Sequence, residues 1–302
     1  MQANELVVRT SEPPRLRVVQ RVREIWARRE VLLNLVRKEL KVKYVSSVLG
    51  AAWSLLNPIV FLAVFSFVTA ITGLALPEYP IYLLSALLGW NFFTTSVTNA
   101  ARSVIDNGNL VKKVAFPREV LPLSSVGGAG FDYVLQMAVL FIFMAVVRHG
   151  VAWSAAVLFP LTVITMLVFT CALSYLIAAV NVRYRDVQHL LNLGLLVWFW
   201  LTPIVYAEGL VQRKLQEYHV AGVNLFRIYL VNPLVDITIG FHRALYGPHL
   251  MSTDTGPQAA LVTYGVPTIA LILGVVLLAS LVLLRITWKM FFDLSGDFAE
   301  EL

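Results

Sequence analysis

Apolar runs of 18 or more residues recur along this 302-residue chain and constrain its fold more than any other feature. Lipid tolerates only helices and closed barrels, because every backbone N–H and C=O must be satisfied without water. A barrel strand alternates apolar with polar residues, whereas these runs are continuously apolar. The chain therefore reads as an all-α membrane protein. Composition agrees: 58% of residues are hydrophobic and only 14% are charged, against about 25% charged in a soluble domain.

Six spans are predicted, at roughly 48–75, 81–104, 127–147, 152–181, 189–206 and 259–284. The second turns polar in its later half, at Thr94, Thr95, Ser96, Thr98 and Asn99, and the third opens on Gly127, Gly128 and Gly130. Residues 1–15 read as a mobile tail. Residues 16–46 place Val18, Val22, Ile25, Trp26, Leu32, Leu33 and Val36 at roughly helical spacing, with Arg and Lys between them. That pattern predicts a basic amphipathic helix lying at the membrane surface. With no apolar segment ahead of it, a cleavable signal is not expected. The chain divides into 1–46 (tail and interface helix), 47–287 (six-span membrane domain) and 288–302 (second tail). Between spans five and six, the 207–250 segment holds two apolar stretches of about ten residues, split by Asn232-Pro233. Each is too short to cross, so short re-entrant or interfacial helices on the outer side are expected. A pair of extra short crossings is the alternative and leaves the parity unchanged.

Orientation follows from Lys and Arg. Eleven precede span one, four lie between spans two and three, two in the 181–186 turn (NVRYRD) and two after span six, nineteen of the 24 in all. Both termini are therefore expected in the cytoplasm.

No Walker A pattern, zinc-ligand cluster or nucleophile elbow is present, and the five histidines are scattered, so no catalytic residue and no metal site is expected. Cys171 stands alone, which excludes a disulfide framework. The net charge of +6, without interleaved aromatic and basic residues, points to anionic membrane lipids and not to nucleic acid. Asp132 is the one acidic residue placed inside a span, near its start. So little buried charge and no clear internal repeat argue against ion-coupled transport and for an outside energy source.

Two groups of residues stand out. The first is the loop at about 105–122, within RSVIDNGNLVKKVAFPREVLP (102–122). Lys112, Lys113 and Arg118 flank Phe116-Pro117; the loop is too basic to face lipid and too patterned for a bare linker. It reads as a docking element for a cytoplasmic partner. The turn between spans four and five adds Arg183, Arg185 and Asp186, as a second contact, a brace for the first, or a determinant of topology alone. The second group is aromatic: Trp53, Phe61 and Phe65 in span one, and Trp198, Phe199 and Tyr206 in span five. Phe61 and Phe65 are one helical turn apart, and aromatic faces at mid-membrane depth suit the C–H faces of sugar rings. Trp198 and Phe199 point about 100° apart on a helix, so Phe61, Phe65 and Phe199 are the set expected to line a path together.

The stretches LVRKELKVKYVSSVLGAAWSLLNPIV (35–60), NLVKKVAFPREVLPLSS (109–125) and NVRYRDVQHLLNLGLLVWFWLTPIVY (181–206) resemble, in order and spacing, the permease of ABC exporters for polysaccharide and teichoic acid. The resemblance covers most of residues 30–250. It implies a six-span permease of the type-2 exporter fold in a bacterial cytoplasmic membrane, working as a homodimer with two copies of a separate nucleotide-binding ATPase. ATP and Mg would then sit on that partner, with no cofactor in this chain. It implies a lipid-linked glycan or polyol-phosphate polymer as substrate, the 105–122 loop as the ATPase-coupling element, and gating helices over 207–250. Two other readings predict different behaviour. An exporter of small hydrophobic molecules needs a pocket open to lipid. A non-transporting membrane scaffold is indifferent to the aromatics.

Overall fold

The computed structural model describes residues 18–45, 47, 50–72, 76–114, 116–150, 153–220, 222–253 and 256–301. The tail at 1–15, both ends of the first predicted span and Ala115 of the basic loop lie outside the described residues. The chain is predominantly helical. Two helices, α1 (Val18–Ala27) and α2 (Arg29–Tyr44), stand where one interface helix was predicted, and they meet at Arg28. Then come α3 (Trp53–Thr72), α4 (Tyr79–Asp106), the short α5 (Gly108–Lys113) and α6 (Val120–Val146). They are followed by α7 (Trp153–Ala156), α8 (Leu158–Arg183), α9 (Val187–Trp200), α10 (Glu208–Gln216) and α11 (Leu225–Tyr229). Next are α12 (Pro233–Phe241), which runs into a π-helical turn at His242–Tyr246, then α13 (Val266–Leu294) and α14 (Phe298–Glu301).

Three stretches are long and apolar enough to cross a membrane: Val120–Val146, Trp153–Arg183 and Val266–Leu294. Trp53–Val68 and Val187–Trp200 are shorter apolar helices. α4 has 28 residues, but the polar residues of its later half dilute its hydropathy.

The structure corrects several predicted limits. The third span begins at 120, because Ser124 and Ser125, which look like loop, both donate to the Glu39 carboxylate. The fifth helix ends at Trp200 and not at 206, since Pro203 cannot continue the hydrogen-bonding ladder. The sixth starts at Val266 and not at 259. Residues 256–259 instead form a strand paired with Leu250–Thr253, and Gly256 at φ +106° supplies a turn conformation open to glycine. With a second antiparallel ribbon, His219–Val220 against Val223–Asn224, the structure is not strictly all-α.

α4 is the central element, packed on α6 and α8, while α8 packs along α13. Tyr82, Leu83, Leu87 and Phe93 of α4 are fully buried in the main core. A smaller core at the basic end joins Leu35, Val111, Val120, Tyr175, Phe291 and Phe298. α2 lies across the first turns of α6, and glycine permits the approach. A Cβ on Gly127 would stand 2.9 Å from Val36, and one on Gly128 2.8 Å from the Glu39 carboxylate.

The far end is tied by long-range polar contacts. The Tyr246 hydroxyl donates to the Pro77 carbonyl at 2.7 Å. His149 contacts the Glu78 carboxylate through Nδ1 and donates from Nε2 to the Leu245 carbonyl at 2.9 Å. Buried Glu208 accepts from His242 Nδ1 at 3.0 Å and from the Val262 N–H at 3.2 Å, with the Tyr82 ring stacked on the imidazole at 3.9 Å. At the Asn232-Pro233 break, Asn232 caps α12 by accepting from the Leu234 N–H at 3.1 Å, while Pro233 fills the first helical position.

Candidate functional site

Three cavities lie in series along α4 and share residues. The first, ≈ 510 Å³, opens beneath α2 at the basic end, between α2, α4 and α6. The second, ≈ 190 Å³, lies at the start of α3; it shares Lys43, Thr95, Ala129 and Asp132 with the first. The third, ≈ 470 Å³, is a groove between α3, α4 and α9; it shares Asn57, Asn91 and Thr94 with the second. Their common wall is one polar face of α4. Asn91, Thr94, Thr95, Thr98, Asn99 and Arg102 follow a 3-1-3-1-3 spacing, which keeps them on one side of a helix.

The third cavity gathers Phe61, Phe65 and Phe199. Phe61 stacks on Phe65 with ring centroids 5.9 Å apart and meets Phe199 edge-on at 6.0 Å. Trp90 of α4 and Trp200 each stand 5.5 Å from Phe199, with ring planes 65° and 83° apart. The other predicted aromatics are elsewhere. Trp53 lines the second cavity. Trp198 turns inward, packs on Phe93 and Phe169, and donates from its indole N–H to Asn232 at 2.8 Å. Tyr206, past the end of α9, donates to the Trp200 carbonyl at 2.8 Å. Sequence reasoning missed Trp90, which carried no pattern, and Asn91. The helical spacing of the polar residues in span two was the signal that could have found Asn91.

At the basic end, Lys112 and Lys113 occupy the last turn of α5 and are exposed. Phe116 is half-buried against the smaller core and Pro117 is buried. Arg118 reaches the Gly296 carbonyl at 3.4 Å, and partial burial draws its pKa down. Next to it, the fully buried Glu119 takes a two-pronged contact from Arg21 of α1: Nε to Oε1 at 2.6 Å and Nη2 to Oε2 at 2.9 Å. Arg21 also pairs with Glu24 at 2.7 Å and lies 5.0 Å over the Phe292 ring. Burial alone would lower the Arg21 pKa, but the two carboxylates outweigh it and raise it. The helix before the bundle, the chain leaving the basic loop and the last long helix are thus fastened by one guanidinium. Arg183, Arg185 and Asp186 are exposed in the turn between α8 and α9, and none of the ion pairs among the described residues involves them.

The end of α2 is fixed in a similar way. Lys43 Nζ lies 2.5 Å from Asp132 Oδ2, and the Tyr44 hydroxyl donates to Oδ1 of the same carboxylate. One turn further along α6, Gln136 donates to the Ser54 carbonyl at 2.6 Å and holds the start of α3. The acid predicted inside span three is therefore a paired charge. Among the described residues no group of three metal-ligating side chains converges.

The family model described as "ABC-2 type transporter" matches residues 30–234, which take in α2 through the start of α12. The chain belongs to the ABC-2 type transporter family. A curated relative, the O-antigen export system permease protein RfbA of Myxococcus xanthus, is 32% identical over 250 residues, covering 82% of this chain and 92% of that protein. Two RfbA permease proteins of Klebsiella pneumoniae are 32% and 33% identical over 188 residues, 61% of this chain and 72% of theirs. Within the family match fall all three cavities and the basic loop, together with α2 and the Asp132 contact.

Proposed function

We propose that this ABC-2 family chain is the membrane permease subunit of an ATP-driven exporter that moves a lipid-linked polysaccharide across the bacterial cytoplasmic membrane. The observation that carries the reading is the series of cavities ending in the Phe61–Phe65–Phe199 groove. A sugar chain carries hydroxyls that need polar partners when they leave water, and apolar ring faces that stack loosely on aromatics. The polar face of α4 offers the first, and the groove the second. Relatives that are O-antigen export system permeases support a polysaccharide over a small hydrophobic cargo.

In this reading α3, α4, α6, α8, α9 and α13 are the six crossings, the basic end faces the cytoplasm, and α10 to α12 form the outer gating segment. Two copies assemble with two copies of an ATPase that binds ATP and Mg. Lys112, Lys113, Phe116, Pro117 and Arg118 dock on that partner, with Arg183, Arg185 and Asp186 beside them. ATP binding moves the docked loops, and that motion passes into the helices as a rigid-body shift.

Replacing Lys112 and Lys113 by Glu is expected to abolish polymer at the cell surface and ATPase stimulation, with the protein still inserted at its normal level. Both side chains are exposed, so the fold is spared. Phe116→Ala with Arg118→Glu is expected to do the same, with some added loss of stability because Phe116 packs on the basic-end core. Surface polymer at the unsubstituted level in the two-lysine variant sinks the docking assignment. A strain that lacks the chain and still displays its polysaccharide sinks the exporter reading.

A further inference from the structure

The wall between the first and second cavities consists of Lys43, Thr95, Ala129 and Asp132, since these residues line both. Across it lies the contact of Lys43 and Tyr44 with the two oxygens of Asp132. Its halves differ in freedom. The Asp132 side chain is 11% exposed, on the long helix α6, whereas Lys43 is 45% exposed at the last turn of α2. Lysine has a four-carbon stem and three donors, so it can leave and return while the carboxylate stays in place. The start of α3 is held independently by Gln136, so releasing Lys43 need not free α3.

We propose that the Lys43–Tyr44–Asp132 contact is a gate that shuts the cavity beneath α2 from the chamber at the start of α3. This rests on the exporter reading and extends it by naming what opens the gate: an uncharged, hydroxyl-rich segment of the polymer. The first cavity is lined by Lys38, Lys43 and Arg102 against Glu39, Asp106 and Asp132, a formally balanced set. A sugar hydroxyl can donate to Asp132 in place of the Tyr44 hydroxyl or the Lys43 ammonium, and accept from the released ammonium, so that no charge is left without a partner. A phosphate arriving at the same point would meet the Asp132 carboxylate as a like charge.

The gate is tested by access and not by export alone. In a Cys171→Ser background, Thr94→Cys places a thiol beyond the gate, on the wall of the second and third cavities. Inside-out membrane vesicles holding this permease and its co-expressed partner are treated with a membrane-impermeant maleimide, which reaches only the cytoplasmic side. Lys43→Gln and Asp132→Asn are each expected to raise the labelling rate by about tenfold, the factor expected on losing one charged hydrogen bond. The reversed pair, Lys43→Asp with Asp132→Lys, is expected to bring the rate back down. Lys43 is exposed, so its variant guards against misfolding as an explanation. An unchanged rate in both single variants overturns the gate, as does a raised rate that the reversed pair leaves raised. Surface polysaccharide is scored separately. Its persistence in cells lacking the chain defeats the exporter reading and leaves the labelling comparison intact.

Discussion

Arg21→Ala is expected to lower the stability of the purified protein by about 3 kcal/mol, because it strands a buried charge. The Glu119 side chain is fully buried and takes two of its contacts from that guanidinium. The exposed Glu24 partner adds little to the loss. Thermal unfolding in detergent checks this, and an unchanged midpoint would show the contact to be dispensable. Arg21→Lys is expected to recover only part of the loss, since an ammonium cannot present the two parallel donors of a guanidinium. Arg21→Ala combined with Glu119→Leu should recover more, because the carboxylate that needed a partner is gone. In Arg21→Ala and in the double variant α1 loses its tie to the chain leaving the basic loop, so export is expected to fall even where stability returns.

Gly209→Val is expected to be at least as severe at the far end, costing about 3 kcal/mol. A Cβ at Gly209 would lie 2.2 Å from the Ala259 carbonyl oxygen and 2.9 Å from that of Leu261. Both obstacles are backbone, so no side chain can swing aside. The Gly209 N–H also donates to the Ala260 carbonyl at 3.0 Å, and pushing α10 away breaks that bond. The neighbouring contacts of Glu208 with His242 and Val262 would go with it. Limited proteolysis should show faster cleavage within 207–260 while α1 and α2 stay resistant. Equal resistance in the variant and the unsubstituted protein would refute the close-approach argument.

Much of the helical framework was legible in the sequence, because membrane helices announce themselves by continuous apolar runs. The limits were read less well where the signal depends on a distant partner. Ser124 and Ser125 look like loop residues until Glu39, 85 and 86 positions earlier, supplies their acceptor. Ala259 to Val262 look like the start of a span, yet a turn at Gly256 folds 256–259 back as a strand. Phe61, Phe65 and Phe199 were legible as a set because helical spacing alone fixes where two of them point. Trp90 was not picked out, since one tryptophan in an apolar run carries no pattern of its own. The pairs Arg21–Glu119 and Lys43–Asp132 span 98 and 89 residues, and local periodicity says nothing about which charge meets which at that range.

The glycines at the start of α6 have a mechanical consequence. Helices that interlock ridge into groove must climb over one another to move, and that cost makes their positions discrete. Where α2 crosses Gly127 and Gly128, α6 offers no side chain to climb. Beside Leu35 in the smaller core, what holds α2 there is polar: Glu39 to two serines, Lys43 and Tyr44 to Asp132. Such bonds exchange partners readily at a wet boundary, whereas interdigitated side chains do not. The seam is built like a plain bearing, on which α2 can slip along α6 without climbing a side chain at Gly127 or Gly128.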